Sequence, residues 1–444
     1  MASSEPVEIP SSILIVGSGA FGLSTAWALC KDAKFKNTSI TVVDRQPFPT
    51  PDGSSIDTSR IIRPDYAAEP YTRLATTALQ RWRTDFAPEH YHEVGLALTA
   101  SGPEQYYVSD SLSNVRKIGV DKTEVLNTAE DIKRVCGLEG NDVWGSGKTG
   151  YVNWSSGWAD AEGAMKWLRE KVEKLQRVNF VTSSVKKLLI NHKTNTVSGV
   201  RLHNDTELHA ALTILAAGAW TASLIDLRGI CKATGQAICY MPITAAEEAQ
   251  LAPRPTILNL SHGLFMIPPK NRLLKIARHG HGYLNPTTFP NPESDDPNDT
   301  ITASLPFTAV DDPLQAVPPE GQKQCRDFLA AIHPSLAIPS RPFTKSKICW
   351  YTDTRNGDFL ISYHPKYAGL FVATGGSGHG FKFLPNIGEA ILECVLGSTP
   401  ADFRGRWEWP KETVPEEEWK GDGSRGGPVG LVLGEETAKS RGRL

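Results

Sequence analysis

Residues 13–16 are four consecutive apolar positions, followed by Gly17, Gly19 and Gly22 and then by a mostly apolar stretch to residue 28. A short apolar run, a glycine cluster and a helix-length segment predict a buried strand, a tight turn and a helix. Gly17 allows the sharp turn, Gly19 lets the backbone approach a pyrophosphate, and Gly22 lets the helix pack on the strand. The helix N-terminus then offers free N–H groups and its positive dipole end to phosphate. A second apolar run, residues 40–43, ends in Asp44, whose carboxylate can accept hydrogen bonds from an adenosine ribose. Residues 11–46 therefore predict a βαβ unit with a polar loop at 31–37, preceded by a loose tail over 1–10.

The pattern continues with a turn-rich loop at 47–59, the segment SRIIRPDY at 59–66, and a helix over 70–86 with Tyr71, Leu74, Leu79 and Trp82 on one face. Residues 94–100 alternate like a strand, and 101–150 are mixed and glycine-rich. Residues 157–175 predict a helix supported by the Glu170–Lys174 pair. Strands are expected at 179–182, 197–202 and 212–217. The last runs into Gly218-Ala219-Trp220 and can return the backbone to the same nucleotide. From 230 to 345 prolines become dense and short strands alternate with loops, with one helix inside 314–332. Strands at 348–363 and 369–373, a second glycine loop at 375–380 and a helix at 386–396 follow. After Trp409 the chain is charged and glycine-rich, and irregular structure is expected. The fold class is α/β: a discontinuous Rossmann-like nucleotide-binding domain (11–95, 155–228 and 345–400) and a second α+β, mainly antiparallel-sheet substrate domain (96–154 and 229–344). Residues 401–444 form a C-terminal tail.

At 444 residues the chain is long enough for two sizeable cores. A net charge of −2 with no long lysine or arginine run argues against nucleic acid as a partner. No apolar run reaches the length of a membrane span. The acidic N-terminus does not read as a secretory signal. Seven scattered cysteines without CxxC spacing suit a reducing compartment and neither a disulfide framework nor zinc. The closing Gly442-Arg443-Leu444 loosely approaches a peroxisomal address, so a peroxisomal or cytoplasmic location is expected.

Several side chains stand out chemically. Arg60 and Arg63 flank an apolar pair; they share a face if the segment is helical and do not if it is extended. They are either solvated or buried with anionic partners. Lys275 sits in the apolar run LLKIA, either snorkelling to solvent or held near an electron-rich site. Cys349 read alone is a buried thiol. Lys382 follows the second glycine loop and read alone is a solvated charge. His279 and His281 lack a third metal ligand at suitable spacing, so no metal is expected.

GSGAFG, SRIIR, GWADA, KIARHGHGY, CWYTDT and GGSGHGFKFLP together carry a resemblance over most of residues 11–400. The chain resembles the FAD-dependent amine oxidases of the monomeric sarcosine oxidase family, in particular fungal fructosyl amino acid oxidases (amadoriases), saccharopine oxidases and pipecolate oxidases. The resemblance implies a flavoprotein oxidase that converts the C–N bond of a secondary amino acid to an imine and reduces O2 to H2O2. It implies FAD joined covalently to Cys349, Arg60 near the flavin, and Arg63 and Lys382 gripping the substrate carboxylate. It places Lys275 beside flavin N5, where it promotes reaction with oxygen, and His279 and Tyr351 in the active site. Cofactor contacts are expected from Gly17, Gly19, Ala20, Phe21, Gly22, Asp44, Arg45, Ser59, Arg60, Val185, Ala217, Gly218, Trp220, Cys349, Gly376, Gly378, Gly380, Phe381 and Lys382. Two departures stand out: His279 replaces the acidic residue of fructosyl amine oxidases, and Ile56 replaces a histidine of sarcosine oxidase. A fructosyl substrate, a biosynthetic tailoring role on an N-alkylated amino acid, an NAD-dependent dehydrogenase and a non-catalytic nucleotide-binding protein are the competing readings. The partners expected are a small amino acid and O2, on a monomer without nucleic acid or membrane.

Overall fold

In the computed structural model, which describes residues 8–119, 122–140 and 147–441, the opening apolar run is the strand Ser12–Val16. It pairs in parallel with Ser39–Asp44 on one side and Leu212–Leu215 on the other. Val178–Thr182 and Leu370–Thr374 extend this sheet in parallel, and Leu360–Tyr363 closes one edge antiparallel. Helices Ala20–Lys31, Ala161–Lys174 and Ile387–Val395 bury Leu23, Leu29, Leu168 and Ile391 in the core cluster that holds Ile13 and Ile15. The opposite face, with Leu14 and Val16, packs on Leu188, Val200 and Ile225. Burial on both faces is why these strands are unbroken apolar runs rather than alternating ones.

The second sheet has ten strands and is mainly antiparallel. At its heart the strand Cys231–Pro242 pairs with Lys345–Thr354 and with Leu273–Arg278. Leu264–Lys270, Thr256–Asn259, Leu96–Ala100 and Thr149–Asn153 follow in order. One face buries Cys239, Met241, Leu274 and Ile276 against Cys325, Phe328 and Leu329 of the helix Pro319–Ile332. The other face carries Ile238, Tyr240, Phe265, Ala277 and Cys349. A small sheet, Arg60–Ile62 with Gly157–Ala159, lies near that second face.

The structure departs from the sequence reading in four places. Gly157–Ala159 is a strand, and the helix begins only at Ala161 because Asp160 caps it, accepting from the Gly163 N–H at 3.1 Å. Residues 101–150 contain ordered elements, among them the helix Gln105–Lys117 and a helix Ala129–Cys136 opened by a Thr128/Asp131 capping box. The strand expected over 348–363 is two: Lys345–Thr354, assigned from sequence to the nucleotide-binding part, is paired along ten positions with the second sheet, and Leu360–Tyr363 edges the first. The tail is not irregular throughout. Trp407 is fully buried, Leu431–Val432 adds to Tyr283–Leu284, and Leu433–Arg441 is a helix. Gly426 and Gly427 let the tail hug the second sheet: a Cβ on Gly426 would sit 2.2 Å from the Leu260 carbonyl oxygen, and Gly426 is bridged to Gly280. Within the 31–37 loop, Phe35 is buried. Residues 1–7, most of the expected N-terminal tail, and Gly442-Arg443-Leu444 lie outside the described residues. Among the described residues no helix is long and apolar enough to cross a membrane.

Candidate active site

The first glycine cluster forms a cradle. Gly17 has φ +106°, and a Cβ there would sit 2.5 Å from the Ala216 carbonyl oxygen. A Cβ on Gly22 would sit 1.9 Å from the Gly17 oxygen, so Gly22 serves helix–strand packing and does not face the cavity. The helix Ala20–Lys31 has Gly19 as its N-cap, with no side chain on its N-terminal N–H groups from that residue; the Ser55 hydroxyl accepts from Ala20 N–H at 2.9 Å. Asp44 is oriented by the Ser18 N–H and hydroxyl, both donating at 2.7 Å. The Arg45 guanidinium lies 4.0 Å over the Trp220 ring and pairs with Asp52, whose other oxygen accepts from the Thr308 hydroxyl at 2.6 Å.

From this cradle a cavity of about 510 Å³ runs between the two sheets. Gly17, Gly19, Ala20, Phe21, Asp44, Arg45, Arg60, Val185, Ala217, Gly218, Trp220, Gly376, Gly378, Gly380, Phe381 and Cys349 line it, as do Arg63, Lys275, His279, Tyr351 and Lys382. Ser59 does not line it; its carbonyl accepts from Lys275 Nζ at 2.8 Å. Arg60 and Arg63 lie at and just beyond an extended segment, Arg60–Ile62, so they serve two different ends of the cavity.

At one end the node is Asp57, fully buried. Its carboxylate accepts from Lys275 Nζ at 2.7 Å, from the Arg60 guanidinium, and from the Tyr240 hydroxyl at 2.5 Å. Burial would raise the Asp57 pKa, but Lys275, Arg60 and Lys347 together outweigh it and hold the group well below the usual carboxylate range. Burial lowers Lys275 and Arg60 lowers it further. Asp57 opposes both, and the amine is left at about 8. A second Arg60 nitrogen reaches the Cys349 sulfur at 3.4 Å.

At the other end Arg63 is buried between tyrosines. One guanidinium nitrogen donates to the Tyr107 hydroxyl at 3.5 Å, and Nη1 has no partner. Lys382 Nζ donates to the Tyr66 hydroxyl at 2.8 Å and to the His379 carbonyl at 2.9 Å. Tyr66 in turn donates to His379 Nδ1 at 3.0 Å, because His379 Nε2 faces the Gly357 carbonyl at 2.8 Å and must carry the proton. Burial first, and Arg63 next, push the Lys382 pKa well below its ordinary value. His279 is held neutral by burial and then by Arg425, Arg63 and Lys382. Its Nε2 lies 3.4 Å from the Ser424 hydroxyl, which donates to Asp422 at 2.6 Å. Tyr351 is wedged by Gly378, where a Cβ would fall 2.3 Å from its ring, and carries the Arg425 guanidinium 5.0 Å from its centroid.

Asp57, Tyr66, His379 and Arg425 were not singled out from the sequence. Asp57 had a weak signal, since it precedes Arg60 by three, at the end of the 47–59 loop just before the SRIIRPDY segment. Arg425 had none: an arginine among glycines in a charged tail says nothing until the tail folds back. Among the described residues no group of three His, Cys, Asp or Glu could hold a metal. The residues fit FAD. The cradle is closed to any side chain at Gly17 and open to phosphate at Gly19. Asp44 is preset as an acceptor, and the interior gathers cations around a thiol and one ion-paired carboxylate.

Comparison with known proteins agrees with this geometry. Residues 12–393 match the family described as FAD dependent oxidoreductase (DAO). The chain is 31% identical to the amino acid oxidase imqH of Aspergillus flavus, over 88% of this chain and 93% of that one. It is 31% identical to L-saccharopine oxidase of Schizosaccharomyces pombe, over 92% and 95%. Among solved structures it is similar to a fructosyl amine:oxygen oxidoreductase (Amadoriase I) of Aspergillus fumigatus, at 28% identity, TM-score 0.79 and 97% of each chain.

Proposed function

The chain belongs to the FAD dependent oxidoreductase family, and on that premise we propose that it oxidises the C–N bond of a secondary amino acid, with dioxygen as the electron acceptor. The observation that carries this reading is one cavity that joins the glycine cradle to Arg63 Nη1, a buried guanidinium nitrogen without a partner. A buried donor left unpaired is costly, and a substrate carboxylate would satisfy it. Lys382, held by Tyr66 and His379, completes the clamp. FAD, joined through the Cys349 sulfur, would accept the two electrons of amine oxidation and pass them to oxygen. The chain's residues supply the rest. Burial, and then the cations that help hold His279 unprotonated, also disfavour an ammonium, so the substrate binds and reacts as the free amine. Lys275 fixes a cation, anchored by Asp57, where negative charge develops on oxygen. The imine product is then hydrolysed by water. We place nucleotide binding on the six-stranded sheet and substrate binding on the ten-stranded one, and take the protein as a monomer.

The test is anaerobic bleaching of the flavin absorbance in purified holoprotein by N-alkylated amino acids and by their esters. The acids should bleach the flavin rapidly and the esters poorly. Equal bleaching by acid and ester would remove the carboxylate clamp, and no bleaching by any amino acid would overturn the reading.

A further inference from the structure

The cavity floor on the ten-stranded sheet is a row of directly opposed residues. Ile238 faces Ala277, Ala277 faces Phe265, Phe265 faces Leu258, and Leu258 faces Leu98. Ile238, Phe265 and Leu258 line the cavity. On the strand Leu273–Arg278 this row falls two residues from Lys275, and His279 lies two residues further along.

Several polar groups around the row are already committed to one another, while His279 and Tyr351 border the cavity beside it. Gln236 accepts from Gly280 N–H at 2.9 Å and donates to Thr234 at 3.3 Å. Tyr240 is spent on Asp57. The Arg425 guanidinium donates to Asp353 at 2.6 Å and to the carbonyls of Ser377 and Gly280, both at 2.9 Å. Arg278 also borders the cavity and its Nε and Nη2 lack partners, but its guanidinium is turned to the opposite face of the sheet, where Nη1 donates to Glu320 at 2.7 Å and Gln324 at 3.1 Å on the helix Pro319–Ile332. On the face of the sheet that carries the row, the cavity-lining cation with an unpartnered buried nitrogen is Arg63, beside Lys382.

Resting on the amino acid oxidase reading, we infer that the group the substrate carries away from its carboxylate is an aromatic or branched hydrocarbon seated on the Ile238–Phe265–Leu258 row, and neither a sugar nor a second carboxylate. A hydroxylated or charged group laid on this row would lose its water and gain no partner. An aromatic ring would gain contact area and edge-on packing with Phe265 and Tyr351.

The probes are redox-inert carboxylates titrated into holoenzyme while flavin absorbance is followed: acetate, 3-phenylpropionate, gluconate and glutarate. The phenyl compound should bind at least about tenfold tighter than acetate, in keeping with what a filled apolar pocket contributes. Gluconate and glutarate should bind no tighter than acetate. Phe265→Ala should remove most of the phenyl advantage while keeping the affinity for acetate. Leu258→Ala gives the same reading should Phe265→Ala not fold. Gluconate or glutarate binding tightest, or a phenyl advantage untouched in both variants, overturns the inference. Silence towards all four, acetate included, overturns the carboxylate clamp itself and this inference with it, a result distinct from a reversed order.

Discussion

Asp57 is the residue on which the charge balance of the interior turns. Lys275 titrates near 8 because burial and Arg60 drive its proton off while Asp57 holds it on. Lys275 is thus charged below about 8 and neutral above it. Flavin reoxidation by oxygen should fall as pH rises through this value, and Lys275→Met should be slow and flat across the same range. In Asp57→Asn the opposing attraction is gone, so the falling limb should move to lower pH; a limb that stays in place would show that Asp57 does not set it. Lys382 makes the converse case. Its proton affinity is depressed by burial and by Arg63, and a bound carboxylate supplies the missing anion. Carboxylate binding should therefore take up a proton and weaken as pH rises, measurable as proton uptake in calorimetry in two buffers of different ionisation heat. Arg63→Ala should cost roughly 2–5 kcal/mol of that binding, the usual penalty for breaking a desolvated charged pair.

At the scale of elements, Arg425 is the charged anchor of the tail, beside the strand pairing of Leu431–Val432 and the buried Trp407 and Leu433. Arg425 joins residues 421–427 to Asp353 on the Lys345–Thr354 strand and to the loop carrying Ser377. Removing one partner of a buried ion pair strands the other. Arg425→Ala should destabilise the protein by about 3–5 kcal/mol and open the 410–430 stretch to limited proteolysis. An unchanged melting temperature and cleavage pattern would show that the tail docks by its apolar residues, Trp407 and Leu433, alone. The same strand carries Cys349, Tyr351 and Asp353 on one face, which the two-residue period of a strand dictates. Its assignment to the second sheet was not legible, because nothing local in the run KICWYTDT names its partner strand.

At the scale of the molecule, the cavity lies between two sheets, so the cofactor would bridge them. In Cys349→Ser, where no thioether can form, flavin should be released by acid precipitation. The melting temperature should then rise with added FAD, by the equivalent of about 2.7 kcal/mol at a hundredfold excess over Kd. Wild-type protein should show no such dependence, and acid-releasable flavin in the wild type would remove the thioether. By itself the sequence determined the βαβ cradle, the strand that ends in Asp44 and the second glycine loop. These are local: a glycine spacing or an apolar run expresses its geometry within a few residues. Only the tertiary structure decided that Asp57 anchors Lys275, that Arg60 and Arg63 serve different ends of one cavity, and that the tail returns to place Arg425 beside Tyr351. Each depends on contacts between residues up to hundreds of positions apart, made by sheet pairing and burial that no short pattern encodes.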